Sequence, residues 1–139
     1  MRRDSREAVY KILYADLYYD NDSQFEKETM EESKLSAEDK AFADSLLTTI
    51  KEHKEEIEQI ISENTHGYSF ERIYSRDKCA LYLAVAELKY FPEIPPVVSI
   101  DEALALVRKY STEESLNFLN GILASVKKQL AALYGYNRR

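Results

Sequence analysis

Ten residues limit what this chain can fold into. From Cys79 to Leu88 it reads Cys-Ala-Leu-Tyr-Leu-Ala-Val-Ala-Glu-Leu. Alanine and leucine are strong helix formers. Wound at 3.6 residues per turn, Cys79, Ala80, Leu81, Leu83, Ala84, Val85, Ala86 and Leu88 leave almost no side of the helix polar. Such a helix is stable only when other elements cover it all round, so it belongs in the middle of a bundle. Ser75 is a fitting start. Pro92 stops it, and Pro95-Pro96 keeps the following connection extended. Only 3 glycines and 3 prolines occur in 139 residues, too few for the turns of a β-rich domain. The expected fold is all-α: one domain over 1–139, a compact helical bundle without a sheet, with sub-bundles of about 1–67 and 68–139.

The covering elements can be read from their apolar spacing. Residues 4–19 carry Val9, Ile12, Leu13 and Leu17 on one stripe, with Arg6, Tyr10 and Tyr14 on the neighbouring face. Asp4 followed by Glu7 resembles a helix start. Residues 37–63 read as one long helix after the cap Ser36, with Phe42, Leu46, Ile50, His53, Ile57, Ile60 and Ile61 inward. Gly67 suits a left-handed position just beyond it. Ser99 to Glu102 and Ser111 to Glu114 both match the S-x-x-E capping box, and so predict two further helix starts. Residues 20–35 have no clear period and read as an acidic loop.

Charge narrows the function. The net charge is −6, from 25 acids and 19 bases. Residues 20–39 hold eight acids and two bases, and the rest of the chain carries seventeen of each. A general polyanion binder is excluded by that balance, whereas a local basic site is not. One cysteine, Cys79, forms no internal disulfide and suits a reducing compartment. No apolar run reaches the ~20 residues of a membrane span, and no signal peptide stands at the start. The expectation is a cytoplasmic protein with no membrane partner.

Catalytic and metal patterns are weak. Three scattered glycines build no phosphate loop. Cys79 sits among apolar neighbours, as core thiols do. Glu63 and His66 match one E-x-x-H step of a di-iron bundle, but the second copy is missing. Asp20-Asn21-Asp22 opens like a calcium loop, yet Phe25 stands where a sharp turn needs glycine. No cofactor, metal or enzyme activity is expected. What remains is a small basic cluster, Arg2, Arg3, Arg6 and Lys11, interleaved with Tyr10 and Tyr14. Arginine neutralises phosphate and aromatic faces stack on unpaired bases.

The second half carries a more specific pattern. Ile94-Pro95-Pro96-Val97-Val98-Ser99-Ile100-Asp101-Glu102-Ala103, then Lys109-Tyr110-Ser111, then Phe118-Leu119-Asn120-Gly121-Ile122-Leu123 resembles the bacterial transcription antitermination family NusB. Arg6-Glu7-Ala8 through Leu13-Tyr14, the Asp39 to His53 stretch, and Arg76-Asp77-Lys78 through Leu88 resemble three further family helices. Asp4-Ser5 interrupts what is often a denser arginine run. The resemblance implies an RNA-binding antitermination factor that takes boxA-type RNA of ribosomal-RNA leaders together with the ribosomal protein NusE, and so acts indirectly on RNA polymerase. It implies RNA contacts at Arg2, Arg3, Arg6, Tyr14 and Phe118. It also implies a NusE contact at Asp77, expected on the exposed start of the central helix. Two other readings share these features: a protein–protein adaptor with little RNA affinity, and a module like the N-terminal part of RNA cytosine methyltransferases.

Overall fold

The computed structural model describes residues 2–19 and 23–134. Asp20, Asn21 and Asp22 of the calcium-like pattern lie outside these residues, as does the tail from Gly135. Seven α-helices follow in order: α1 (Arg2–Asp16), α2 (Ser23–Glu32), α3 (Ala37–Glu52), α4 (Lys54–Glu63), α5 (Ser75–Tyr90), α6 (Pro96–Tyr110) and α7 (Glu113–Tyr134). A single 3-10 turn, Phe70–Arg72, lies between α4 and α5. No strand occurs among the described residues.

Helix α5 takes the central position its composition requires. Every residue from Cys79 to Leu88 is buried, and α1, α3, α4, α6 and α7 all pack against it. Its two polar members are satisfied: the Tyr82 hydroxyl donates to Glu58, and Glu87 accepts from Arg6 and Ser99. Burying this helix with the Ile and Leu rows of its neighbours makes one continuous core. At roughly 25 cal/mol per Å² of apolar surface, that burial is the main source of stability.

Four expectations about element boundaries need correction. The long helix is two helices. At His53 the backbone leaves helical geometry (φ −118°, ψ 24°), and its N–H still reaches the Thr49 carbonyl. Its carbonyl then accepts from Ile57 N–H, restarting the ladder as α4. The His53 ring stacks on Tyr90 at 4.2 Å, which holds the corner against α5. The acidic loop contains a helix, α2, seated through Thr29 and Met30. It ends at Glu32, and the chain turns away at Lys34, whose φ is +53°.

Ser99 is no helix cap. Pro96 already begins α6, and the Ser99 hydroxyl points inward to Glu87 at 2.8 Å. At the start of α7 the capping oxygen belongs to Thr112, which accepts Ser115 N–H at 3.1 Å. The Ser111 hydroxyl instead donates to Asp77. The left-handed residue after α4 is where glycine was expected, Gly67 at φ +92°, preceded by His66 at +55°.

Candidate nucleic-acid interface

Helix α1 carries its polar face along α6, and the pair forms a ridge with a charged end and an aromatic end. At the charged end Arg6 is buried, with 4% of its surface exposed. Its Nε and Nη2 donate to the two Glu87 oxygens at 2.7 and 2.8 Å, and Nη1 lies 3.4 Å from Glu102. A planar guanidinium matched to a carboxylate in this way is geometrically fixed. Arg3 is exposed and donates from Nη2 and Nε to Glu102 at 2.6 and 3.2 Å. That bond holds the Glu102 carboxyl below its usual range and raises the Arg3 guanidinium above its own. The exposed Arg2 guanidinium lies over the Phe42 ring, 4.3 Å from its centroid. Between these side chains and Glu93, Pro95 and Val98 lies an open hollow of about 520 Å³.

Further along the ridge, Glu7 accepts from Lys109 Nζ at 2.6 Å and from the Tyr110 hydroxyl at 2.7 Å. Burial opposes its ionisation, but those bonds outweigh it and keep the carboxyl below its ordinary pKa. Tyr10 stacks on Tyr110 with centroids 5.2 Å apart. Both α1 and α6 are thus pinned to each other by ion pairs and a ring pair.

The aromatic end is built from three elements. Tyr14 is half-buried and lies 5.2 Å from the Tyr18 ring. The Tyr18 hydroxyl bonds Ser75 Oγ at 2.9 Å, tying α1 to the start of α5. With Tyr74, Arg76 and Thr112 these rings line one hollow. Tyr74, 66% exposed, also lines a second hollow with Tyr68, Glu114 and Phe118. Phe118 is half-buried and meets Tyr68 edge-on at 5.1 Å. Tyr14 and Phe118 therefore occupy neighbouring hollows that share Tyr74, although they are far apart in sequence. Stacked on such rings, unpaired bases find faces that tolerate any sequence.

Two expected site residues are placed differently from their expectation. Arg6 faces inward, because α1 turns it toward the buried Glu87 carboxylate of α5. Asp77 is 2% exposed. Its oxygens accept from Ser111 Oγ at 2.7 Å and Ser115 Oγ at 2.6 Å. The carboxylate is directed at the α6–α7 turn, and Asp77 meets the outside only as part of the wall of the Tyr74–Phe118 hollow. Arg2, Arg3, Tyr14 and Phe118 reach the outside. Sequence reasoning missed Tyr18, Tyr68, Tyr74 and Arg76. The signal was there in the 68–76 stretch, which holds three rings and two arginines. Glu87 was legible too, as the lone acid in the apolar run 79–88.

Neither E-x-x-H residue is placed as a ligand: Glu63 accepts from Gln59 and Gln129, and His66 is exposed. Among the described residues no three His, Cys, Asp or Glu gather to hold a metal. Burial pushes the Cys79 thiol up to about 12, as a core thiol requires.

The sequence pattern of the NusB family matches residues 3–128, almost the whole of this architecture. The chain belongs to the NusB family. Transcription antitermination protein NusB of Methylacidiphilum infernorum is 46% identical over 96 residues, covering 69% of this chain and 67% of that protein. NusB of Bacillus mycoides is 35% identical over 131 residues, covering 93% and 98%. Among solved structures, T. maritima NusB superposes with a TM-score of 0.86 at 34% identity, over 93% of this chain and 92% of that one. A structure of antitermination factors NusB and NusE in complex with double-stranded RNA superposes at 0.83 with 31% identity, over 92% and 96%. The NusB fold is therefore shared along nearly its full length.

Proposed function

We propose that this NusB-family chain binds boxA-type RNA of ribosomal-RNA leader transcripts together with NusE, and so helps RNA polymerase resist termination. The observation that carries the reading is the row of reachable rings, Tyr14, Tyr74 and Phe118, drawn from α1, the α4–α5 connection and α7. At the other end of α1 stand Arg2 and Arg3. The rings take unpaired bases, and the two arginines take phosphates. Arg6 acts on RNA only through position, by locking α1 to α5 so that Arg2 and Arg3 stay in place. Asp77 bears on the partner likewise, by ordering the α6–α7 turn. A role beside nascent transcripts implies a cytoplasmic location, and among the described residues no helix is long and apolar enough to cross a membrane. No catalytic step is part of this reading.

The test is fluorescence anisotropy with a boxA-type RNA, with and without NusE. Each stacked base contributes ~1–3 kcal/mol. Tyr14→Ala and Phe118→Ala should therefore each weaken binding by roughly 5- to 150-fold, with circular dichroism confirming the fold. Unchanged affinity in both variants, with and without NusE, would reject the RNA reading. The adaptor reading then stands, supported by one observation: the Arg3 and Arg6 guanidiniums are already matched by Glu102 and Glu87.

A further inference from the structure

We propose that Glu102 sets the RNA affinity of this protein by occupying the Arg3 fork in the free state, so that a phosphate binds there only by displacing a carboxylate. This rests on the RNA reading above and names a residue that tunes it. The geometry is that of a stand-in. Two Glu102 oxygens meet Nη2 and Nε of Arg3 at 2.6 and 3.2 Å, which is how a guanidinium also takes two phosphate oxygens. The two partners differ in freedom. The Arg3 side chain is 68% exposed and the Glu102 side chain 15%. Arg3 can swing outward, whereas Glu102 stays fixed in α6.

Displacement also leaves no orphaned charge. Glu102 lies 3.4 Å from Arg6 Nη1, and Arg6 remains held by Glu87. When Arg3 leaves, the carboxylate keeps that second cation. The hollow beside the pair has room for a phosphate group and is lined by Arg2 as well as Arg3. A fixed internal competitor of this kind raises the threshold for every polyanion that lacks other contacts. It therefore favours a strand that also stacks on the aromatic end of the ridge.

The experiment is anisotropy on boxA-type RNA at several salt concentrations, for wild type, Glu102→Gln, Arg3→Ala and the double variant. Exposed ion pairs are weak, so Glu102→Gln should tighten binding by only about two- to fivefold. Arg3 neutralises the same phosphate in the bound state of both proteins, so the slope of log K against log salt should stay that of wild type. In the Arg3→Ala background Glu102→Gln should change nothing. Equal tightening in that background would mean a general charge effect and overturn the proposal. If Arg3→Ala weakens binding but Glu102→Gln does not tighten it, Arg3 touches RNA and Glu102 does not compete, so only this inference falls. If Arg3→Ala is silent, the role of Arg3 in RNA binding falls and the inference with it. The wild-type protein supplies a check that needs no variant. The Arg3 Nε–H nuclear magnetic resonance signal should move when RNA is added, and a signal that stays fixed at saturation would overturn the proposal.

Discussion

At the scale of single residues, the polar side chains inside this protein work in pairs whose partners come from distant segments. Asp77 shows the consequence. It opens α5 but accepts from Ser111 and Ser115, 34 and 38 residues away. Hydrogen bonds to a charged group contribute roughly 1.5–3 kcal/mol each, and a buried donor left without its partner costs its own desolvation. Asp77→Ala removes the acceptor for two hydroxyls and should destabilise the fold by at least ~2 kcal/mol. Urea unfolding followed at 222 nm checks this, and a loss below about 0.5 kcal/mol would show that the turn does not depend on the carboxylate. The charge-reversing change Asp77→Lys is a poor probe of a partner surface for the same reason, since it buries an ammonium where two hydroxyls expect an acceptor.

At the scale of elements, the helices differ in how firmly they are held. Helix α5 is enclosed by five others. Helix α2 is held through Thr29 and Met30, with an ion pair from Glu26 to Lys51 of α3. Met30→Ala removes its main apolar anchor, and large-to-small core changes cost about 2–5 kcal/mol when the site cannot collapse. Because that cost falls on a peripheral helix, hydrogen exchange should accelerate in 23–32 well before it does in 79–88. Equal acceleration of both segments would show that α2 unfolds only with the whole domain. The same contrast explains what the sequence made legible. A helix apolar on every side has one solution, so α5 and its central place follow from composition. Helix α2 buries only two of its ten residues, which leaves too little period to read. The break at His53 was hidden because no glycine or proline marks it. The corner is held by the stack of His53 on Tyr90 of α5, a tertiary contact. The capping boxes failed for a related reason: the Ser99 and Ser111 hydroxyls are engaged in donating to Glu87 and Asp77, distant partners that local pattern cannot see.

At the scale of the whole molecule, the balance of charge decides how RNA must be held. The net charge is −6, with the excess confined to residues 20–39. Within the neutral remainder three cations of the α1–α6 ridge are matched: Arg3 by Glu102, Arg6 by Glu87, Lys109 by Glu7. The sequence shows these cations but not their carboxylates, which lie 81 to 102 positions away. An interface so neutralised has little long-range pull, and its affinity must come mainly from stacking. That predicts a shallow salt dependence. If three arginines neutralised phosphates on a single strand, log K against log salt would fall with a slope of about −2. With Arg6 buried, only Arg2 and Arg3 of that cluster are available, and its contribution to the slope should be no steeper than about −1.4. The arginines should then separate in two measurements. Arg2→Ala and Arg3→Ala should weaken binding with little effect on unfolding. Arg6→Ala strands a buried carboxylate and should cost about 3–5 kcal/mol in stability. Studied at a temperature where it remains folded, it should keep a wild-type salt slope. A wild-type slope near −2 that flattens in Arg6→Ala would mean that Arg6 leaves Glu87 to reach the RNA, and that the lock between α1 and α5 opens on binding.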